Sequence, residues 1–134
     1  YSRGVKMKFG ADKIEYENDK IIVTGTTEIG KVKGVWKYRE QPVVKYTYFI
    51  ELSYEKFEKK ISQSPAHNFG TFICDDMVVF NCQVEDIDED IYYVRFAADW
   101  LDMVEIESNC IQIGKGSFAS FTVRYEDIWI YPYD

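Results

Sequence analysis

The side chains with the most chemical potential lie in QVEDIDEDIYYV, residues 83–94. There Glu85, Asp86, Asp88, Glu89 and Asp90 put five carboxylates into six positions, just before Tyr92 and Tyr93. Asp86, Asp88 and Asp90 have the alternating spacing with which loop carboxylates converge on Ca2+. The rest of an EF-hand loop is missing, because the sixth position from Asp86 is Ile91 rather than Gly and the twelfth is Ala97 rather than Glu. No metal site is therefore expected. Paired carboxylates could also serve glycoside hydrolysis, but acids are so plentiful that the sequence singles out no pair. His67 is the only histidine and sits among loop-forming residues in SPAHNFG, 64–70, with no group in view to orient it as a base. Cys74, Cys82 and Cys110 show no CxxC or zinc spacing. They read as small hydrophobes in a reducing cytosol, with a Cys74–Cys82 disulfide across a hairpin as the alternative. There is no GxGxxG and no P-loop. The expectation is a protein that is not an enzyme and carries no cofactor.

Binding chemistry is better supplied. In RYEDIWIYPYD, residues 124–134, period-two alternation puts Tyr125, Asp127, Trp129, Tyr131 and Tyr133 on one face and Ile128 and Ile130 on the other. One face reads as core. The other offers amphipathic rings with acids, which in a protein interface supply anchor area and electrostatic steering. Asp99, Trp100 and Asp102 repeat the combination, as does the acidic stretch with Tyr92. A different mixture, Lys31, Lys33, Lys37 and Arg39 around Trp36 and Tyr38, has the basic and aromatic interleaving of single-strand nucleic-acid binders.

Charge weighs between these. The net charge is −7, and it is uneven. Residues 1–60 hold 13 basic and 9 acidic side chains, a balance of +4; residues 61–134 hold 3 and 14, a balance of −11. So acidic a half repels phosphates and anionic membrane surfaces, and suits a basic protein. Neither a nucleic-acid nor a membrane partner is expected.

The elements that must position these residues read almost entirely as strands. PVVKYTYFIEL, 42–52, alternates with Val44, Tyr46, Tyr48, Ile50 and Leu52 on one face. KIEYE (13–17) and KIIVTG (20–25) flank good turn chemistry and predict a hairpin. IGKVKGVWKY, 29–38, is a further strand whose glycines point to bulges or close backbone approach. TFIC (71–74) and MVVFNCQV (77–84) flank an Asp75-Asp76 turn, and IYYVRFAA (91–98), FASFTVRY (118–125) and DIWIYPY (127–133) complete the set, with WLDMVEI (100–106), which alternates only loosely, a strand or a short helical turn. One helix is expected over 54–61, with Ser53 as its N-cap and Tyr54, Phe57 and Ile61 on one face.

The sequence thus predicts one all-β domain over 1–134, a mainly antiparallel sandwich or strongly curved sheet, with one short α-helix near 54–61. The expected function is neutralisation of a basic protein. The concrete form is a bacterial immunity protein or antitoxin that blocks a nuclease toxin through Asp86, Asp88, Glu89, Asp90, Tyr92, Asp99, Trp100, Asp102, Asp127, Trp129, Tyr131 and Tyr133. The alternative is a ligand- or carbohydrate-binding accessory domain of a secreted or cell-surface protein. Geometry separates the two, since a sugar site gathers rings in a groove and a protein interface spreads them over a flatter patch. The expected compartment is the cytoplasm, with export left open by a chain that begins at Tyr1 rather than Met.

Overall fold

A computed structural model describes residues 7–54, 62–64, 67–89, 91–97, 100–105 and 113–133, with 97 and 100–105 described by their strand pairing alone. Eleven strands form one continuous sheet. They are β1 (Met7–Glu17), β2 (Lys20–Thr27), β3 (Gly30–Trp36), β4 (Thr47–Ser53), β5 (Ser62–Gln63), β6 (Gly70–Cys74), β7 (Met77–Asp88), β8 (Ile91–Ala97), β9 (Trp100–Glu105), β10 (Phe118–Arg124) and β11 (Trp129–Pro132). The only helical element among the described residues is a 3-10 turn at Tyr125–Asp127. The all-β expectation holds, in its curved-sheet form.

Local chemistry starts the fold. Asn18 and Asp19 both take positive φ, 48° and 68°, which is the two-residue turn that matches strand twist, so β1 and β2 pair as a hairpin from Glu17↔Lys20 upward. β3 adds antiparallel to β2, and β4 returns to pair antiparallel with the other edge of β1. The spatial order 4-1-2-3 is a Greek key. β11 then closes it, antiparallel to β4 and parallel to β3. The ring β1-β2-β3-β11-β4 is a closed five-stranded Greek-key barrel. Such a fold hosts unrelated functions, so the site has to be argued from its own residues.

The barrel is filled by the inward set of each strand: Phe9 and Ala11, Val23, Val32 and Trp36, Ile50 and Leu52, Ile128 and Ile130, all buried. Closure depends on Gly34. A Cβ there would stand 2.7 Å from the backbone oxygen of Ile128 and 2.9 Å from its Cγ2, so β3 and β11 come together only over a bare backbone. The expected close approach at the β3 glycines is therefore real.

Between β4 and β11 the chain builds a second layer from β5 to β10. β6 joins it to the barrel through the parallel pair Gly30↔Thr71. β7 alternates cleanly, burying Val78, Phe80, Cys82 and Val84 against Val94, Phe96, Ala119, Phe121 and Val123. Phe80 and Phe121 stack with centroids 5.0 Å apart, and Tyr54 packs 5.1 Å from Phe80. These residues form one cluster with the barrel interior.

Several local expectations change. Ser53 is the last residue of β4, and Tyr54 is buried irregular chain. The rest of the predicted helix, 55–61, lies outside the described residues. Residues 42–46 are not strand. Pro42 has no N–H to give a ladder, and Lys45 takes φ +70°, which turns the chain. This turn is tied to β1 by the Ala11 N–H to Tyr46 O and Lys45 N–H to Ala11 O hydrogen bonds, 3.1 and 2.7 Å, beside the β1 bulge between Ala11 and Lys13. The acidic stretch is not a loop between strands: β7 runs through Asp88, bulged between Val84 and Asp86. Cys74 and Cys82 are both free, the first exposed and the second buried. No helix among the described residues is long and apolar enough to cross a membrane.

Candidate functional site

Where β3 ends and β4 begins, the barrel mouth opens into a groove of about 680 Å³. Such a volume is within the usual range for small-molecule sites, roughly 300–1,000 Å³. Its walls carry Trp36 at the end of β3 and Tyr38 just beyond it, Tyr46 just before β4 and Tyr48 and Phe49 at its start, and Tyr133 after β11. Tyr48 points inward with Ile50 and Leu52, so its ring stands at the barrel's end and meets Trp36 edge-on at 4.9 Å. Tyr46 leans on Tyr48 at 4.6 Å, and Tyr38 meets Trp36 edge-on at 6.5 Å.

Hydrogen bonds fix this cluster. The Trp36 indole N–H donates to the Glu40 carbonyl at 2.8 Å, which folds the connection back over the ring. The Val43 N–H donates to the Tyr48 hydroxyl at 2.9 Å, and the Tyr16 hydroxyl donates to Gln41 Oε1 at 3.2 Å. The Tyr133 N–H donates to Phe49 O at 2.8 Å, and its hydroxyl donates to Glu51 Oε1 at 2.9 Å. Partial burial, with the hydrogen bond to Glu51, pushes the Tyr133 phenol up from its ordinary value. Glu40, Gln41 and Thr47 bring a carboxylate, an amide and a hydroxyl to the same groove. The arrangement offers flat apolar faces with polar groups beside them, and no nucleophile paired with a base.

The residues expected at an acidic interface fall in separate places. Asp86, Asp88 and Glu89 are exposed at the end of the β7–β8 hairpin. Asp86 Oδ1 accepts the Ile87 N–H at 2.9 Å and has Lys115 Nζ at 4.0 Å, while Glu85 is held by Arg95. Tyr92 is a correction: it turns inward, 6% exposed, as part of the core, and has no face to offer a partner. Trp100 and Asp102 lie on β9, paired with Ala97 and Val94 of β8. Asp90 and Asp99 lie outside the described residues. Asp127 is in the 3-10 turn, so the strand begins at Trp129 and not at Asp127. On β11 the alternation holds, with Ile128 and Ile130 fully buried, Trp129 half-buried, and Tyr131 and Tyr133 each 38% exposed. In hydrogen-bonding order β8 is separated from β11 by β7, β6 and β3. The acids at the end of the β7–β8 hairpin and the rings of β11 therefore sit on different parts of the sheet.

The nucleic-acid reading also loses members. Lys31 is paired with Asp12 at 3.2 Å, and Lys33 reaches Glu15 at 3.7 Å and lies over the Tyr125 ring at 4.1 Å. Trp36 is 5% exposed. His67 is an exposed loop residue stacked on Phe118 at 4.8 Å. No group of three or more metal-ligating side chains occurs among the described residues. No known protein family, curated protein or solved structure matches the chain.

Proposed function

We propose that this domain is a binding module whose site is the groove at the barrel mouth, and that its ligand is a carbohydrate. The observation that carries the reading is the convergence of five rings, Tyr38, Tyr46, Tyr48, Phe49 and Tyr133, backed by the buried Trp36, on one groove that also holds Glu40, Gln41 and Thr47. Pyranose rings have flat C–H faces that pack on aromatic rings and an edge of hydroxyls that seek carboxylates and amides. Clustering in a groove favours this over the flat patch of a protein interface.

The test is affinity electrophoresis and calorimetry with a panel of soluble polysaccharides, comparing wild type with Tyr46→Ala. Tyr46 is 57% exposed, so its removal should spare the fold. Retardation by at least one glycan, weakened about tenfold in the variant, is expected for the loss of one anchoring ring. Retention of full affinity by Tyr46→Ala would remove the groove as the site.

A second reading rests on the β7–β8 hairpin, where Asp88 and Glu89 project from a domain of net charge −7. Such a tip suits a basic protein in the cytoplasm, most concretely a nuclease toxin whose phosphate site an acidic inhibitor can occupy. Asp86→Lys with Asp88→Lys should slow association with that partner and flatten its salt dependence. An unchanged association rate would exclude the tip.

A further inference from the structure

The polar groups of the groove differ in what they still have to give. The Tyr48 hydroxyl already accepts the Val43 N–H at 2.9 Å, and its own proton has no acceptor among the described residues. An oxygen that accepts a hydrogen bond becomes a better donor, so this proton seeks a strong acceptor. The Gln41 amide oxygen is taken by the Tyr16 hydroxyl at 3.2 Å, which leaves the amide NH2 without an acceptor among the described residues. Glu40 accepts from Trp36 through its backbone carbonyl, whereas its carboxylate has no ion pair or hydrogen bond among the described residues. Val43, tied to the Tyr48 hydroxyl, adds aliphatic surface to the same wall. Residues 40–43 and Tyr48 therefore bring unspent donors, an unspent acceptor and an aliphatic side chain to one short piece of the groove.

We infer that the ligand is a glycan of N-acetylated amino sugars, such as a chain of N-acetylglucosamine. This rests on the carbohydrate reading of the same groove. An acetamido group offers a carbonyl oxygen, which accepts more strongly than a hydroxyl, together with one N–H donor and a methyl. The carbonyl takes the Tyr48 and Gln41 protons, the Glu40 carboxylate takes the N–H, and the methyl packs on Val43. The sugar faces fall to Tyr46 and Phe49, the most open rings of the groove at 57% and 49% exposed. Charged sugars fit less well. The described lining holds no Lys or Arg to receive a uronate. A free amine would meet the Arg39 guanidinium, which lies 5.3 Å from the Tyr38 ring centroid.

The experiment is calorimetry with the tetramers of N-acetylglucosamine, glucose and glucosamine, all β-1,4-linked, so that the chains differ only in the group on the second carbon. Wild type should bind the acetylated chain about tenfold more tightly than the glucose chain, the ratio expected of one or two net hydrogen bonds. Tyr48→Phe keeps the ring and removes the donor. It should erase most of that preference and leave the tryptophan emission as it was, since Val43 is 57% exposed and water can satisfy its N–H. Gln41→Glu keeps an oxygen for Tyr16 and removes the NH2, and should cut the preference about threefold. It serves as the second variant should Tyr48→Phe disturb Trp36, whose ring is 4.9 Å away. Equal binding of the acetylated and glucose chains, or an undiminished preference in both variants, would overturn the acetamido inference and leave the groove as a sugar site. Tighter binding of the glucosamine chain would overturn it in favour of an amine held by Glu40. Binding of none of the three would also overturn it, and the polysaccharide panel with Tyr46→Ala would then decide the carbohydrate reading by itself.

Discussion

Gly34 is the most direct test of how the barrel, and so the groove, is held closed. In Gly34→Ala the new methyl would lie 2.7 Å from Ile128 O and 2.9 Å from Ile128 Cγ2, a backbone atom and a β-branched side chain that cannot swing aside. Either the seam keeps its place under strain, or it opens and weakens the Val35 N–H to Ile128 O and Lys37 N–H to Ile130 O hydrogen bonds, now 2.7 and 2.8 Å. Overpacking costs about 1–3 kcal/mol, and two backbone bonds at about 0.5–1.5 kcal/mol each cost about the same. Reduced freedom of the unfolded chain returns about 0.4–1 kcal/mol. The net expectation is a loss of about 1–2 kcal/mol, or roughly 4–8 °C in Tm for a chain of this size. Gly10→Ala is the control, because its nearest neighbour is Thr26 O at an ordinary 3.9 Å, and it should leave stability unchanged or slightly raised. Urea and thermal unfolding followed by tryptophan emission would read both, with Trp36 and Trp129 paired to the two strands of the seam. If Gly34→Ala is as stable as wild type, or the two variants behave alike, the argument for closure over a bare glycine is wrong.

Other perturbations reach other parts of the molecule. Burial pushes the Cys82 thiol up to about 12, whereas Cys74 is exposed, so iodoacetamide at neutral pH should label Cys74 in the native protein and Cys82 only after unfolding; native labelling of Cys82 by peptide mass spectrometry would contradict the packing of β7. Phe80→Ala removes the centre of the Phe121 and Tyr54 stack and should cost about 3–5 kcal/mol in urea unfolding, with a loss below ~1.5 kcal/mol arguing that the second layer is loosely packed. The Glu17 carboxylate, accepting the hydroxyl at 2.7 Å, pushes the Tyr125 phenol up to about 12 from 10.0. Its stabilisation is complete below the unfolded value and is lost as pH rises from there through about 12; in Glu17→Gln one tyrosine should ionise earlier in an ultraviolet titration, and superimposable curves would refute the contact.

The local pattern of the chain determined its strands by itself. Alternation in β11 sorted Ile128 and Ile130 to the core before any partner strand was known, because a pleated strand has only two faces and one must be buried. Asn18-Asp19 and Asp75-Asp76 announced their turns for an equally local reason: their side chains tolerate positive φ. The same alternation misled at residues 42–46. Whether a segment pairs, and which face of it is covered, depends on neighbours distant in sequence. The turn at Lys45 is held by Ala11. The groove was illegible for that reason. Trp36, Tyr48 and Tyr133 come from three separate segments, and each alone is one more aromatic residue in a β-rich chain. Only closure of the barrel by β11 beside β3, permitted by the missing Cβ of Gly34, brings the three rings to one mouth. Composition set how much acid and how many rings the molecule would carry. The tertiary fold decided that the acids of the β7–β8 hairpin and the rings of the groove would stand on different strands.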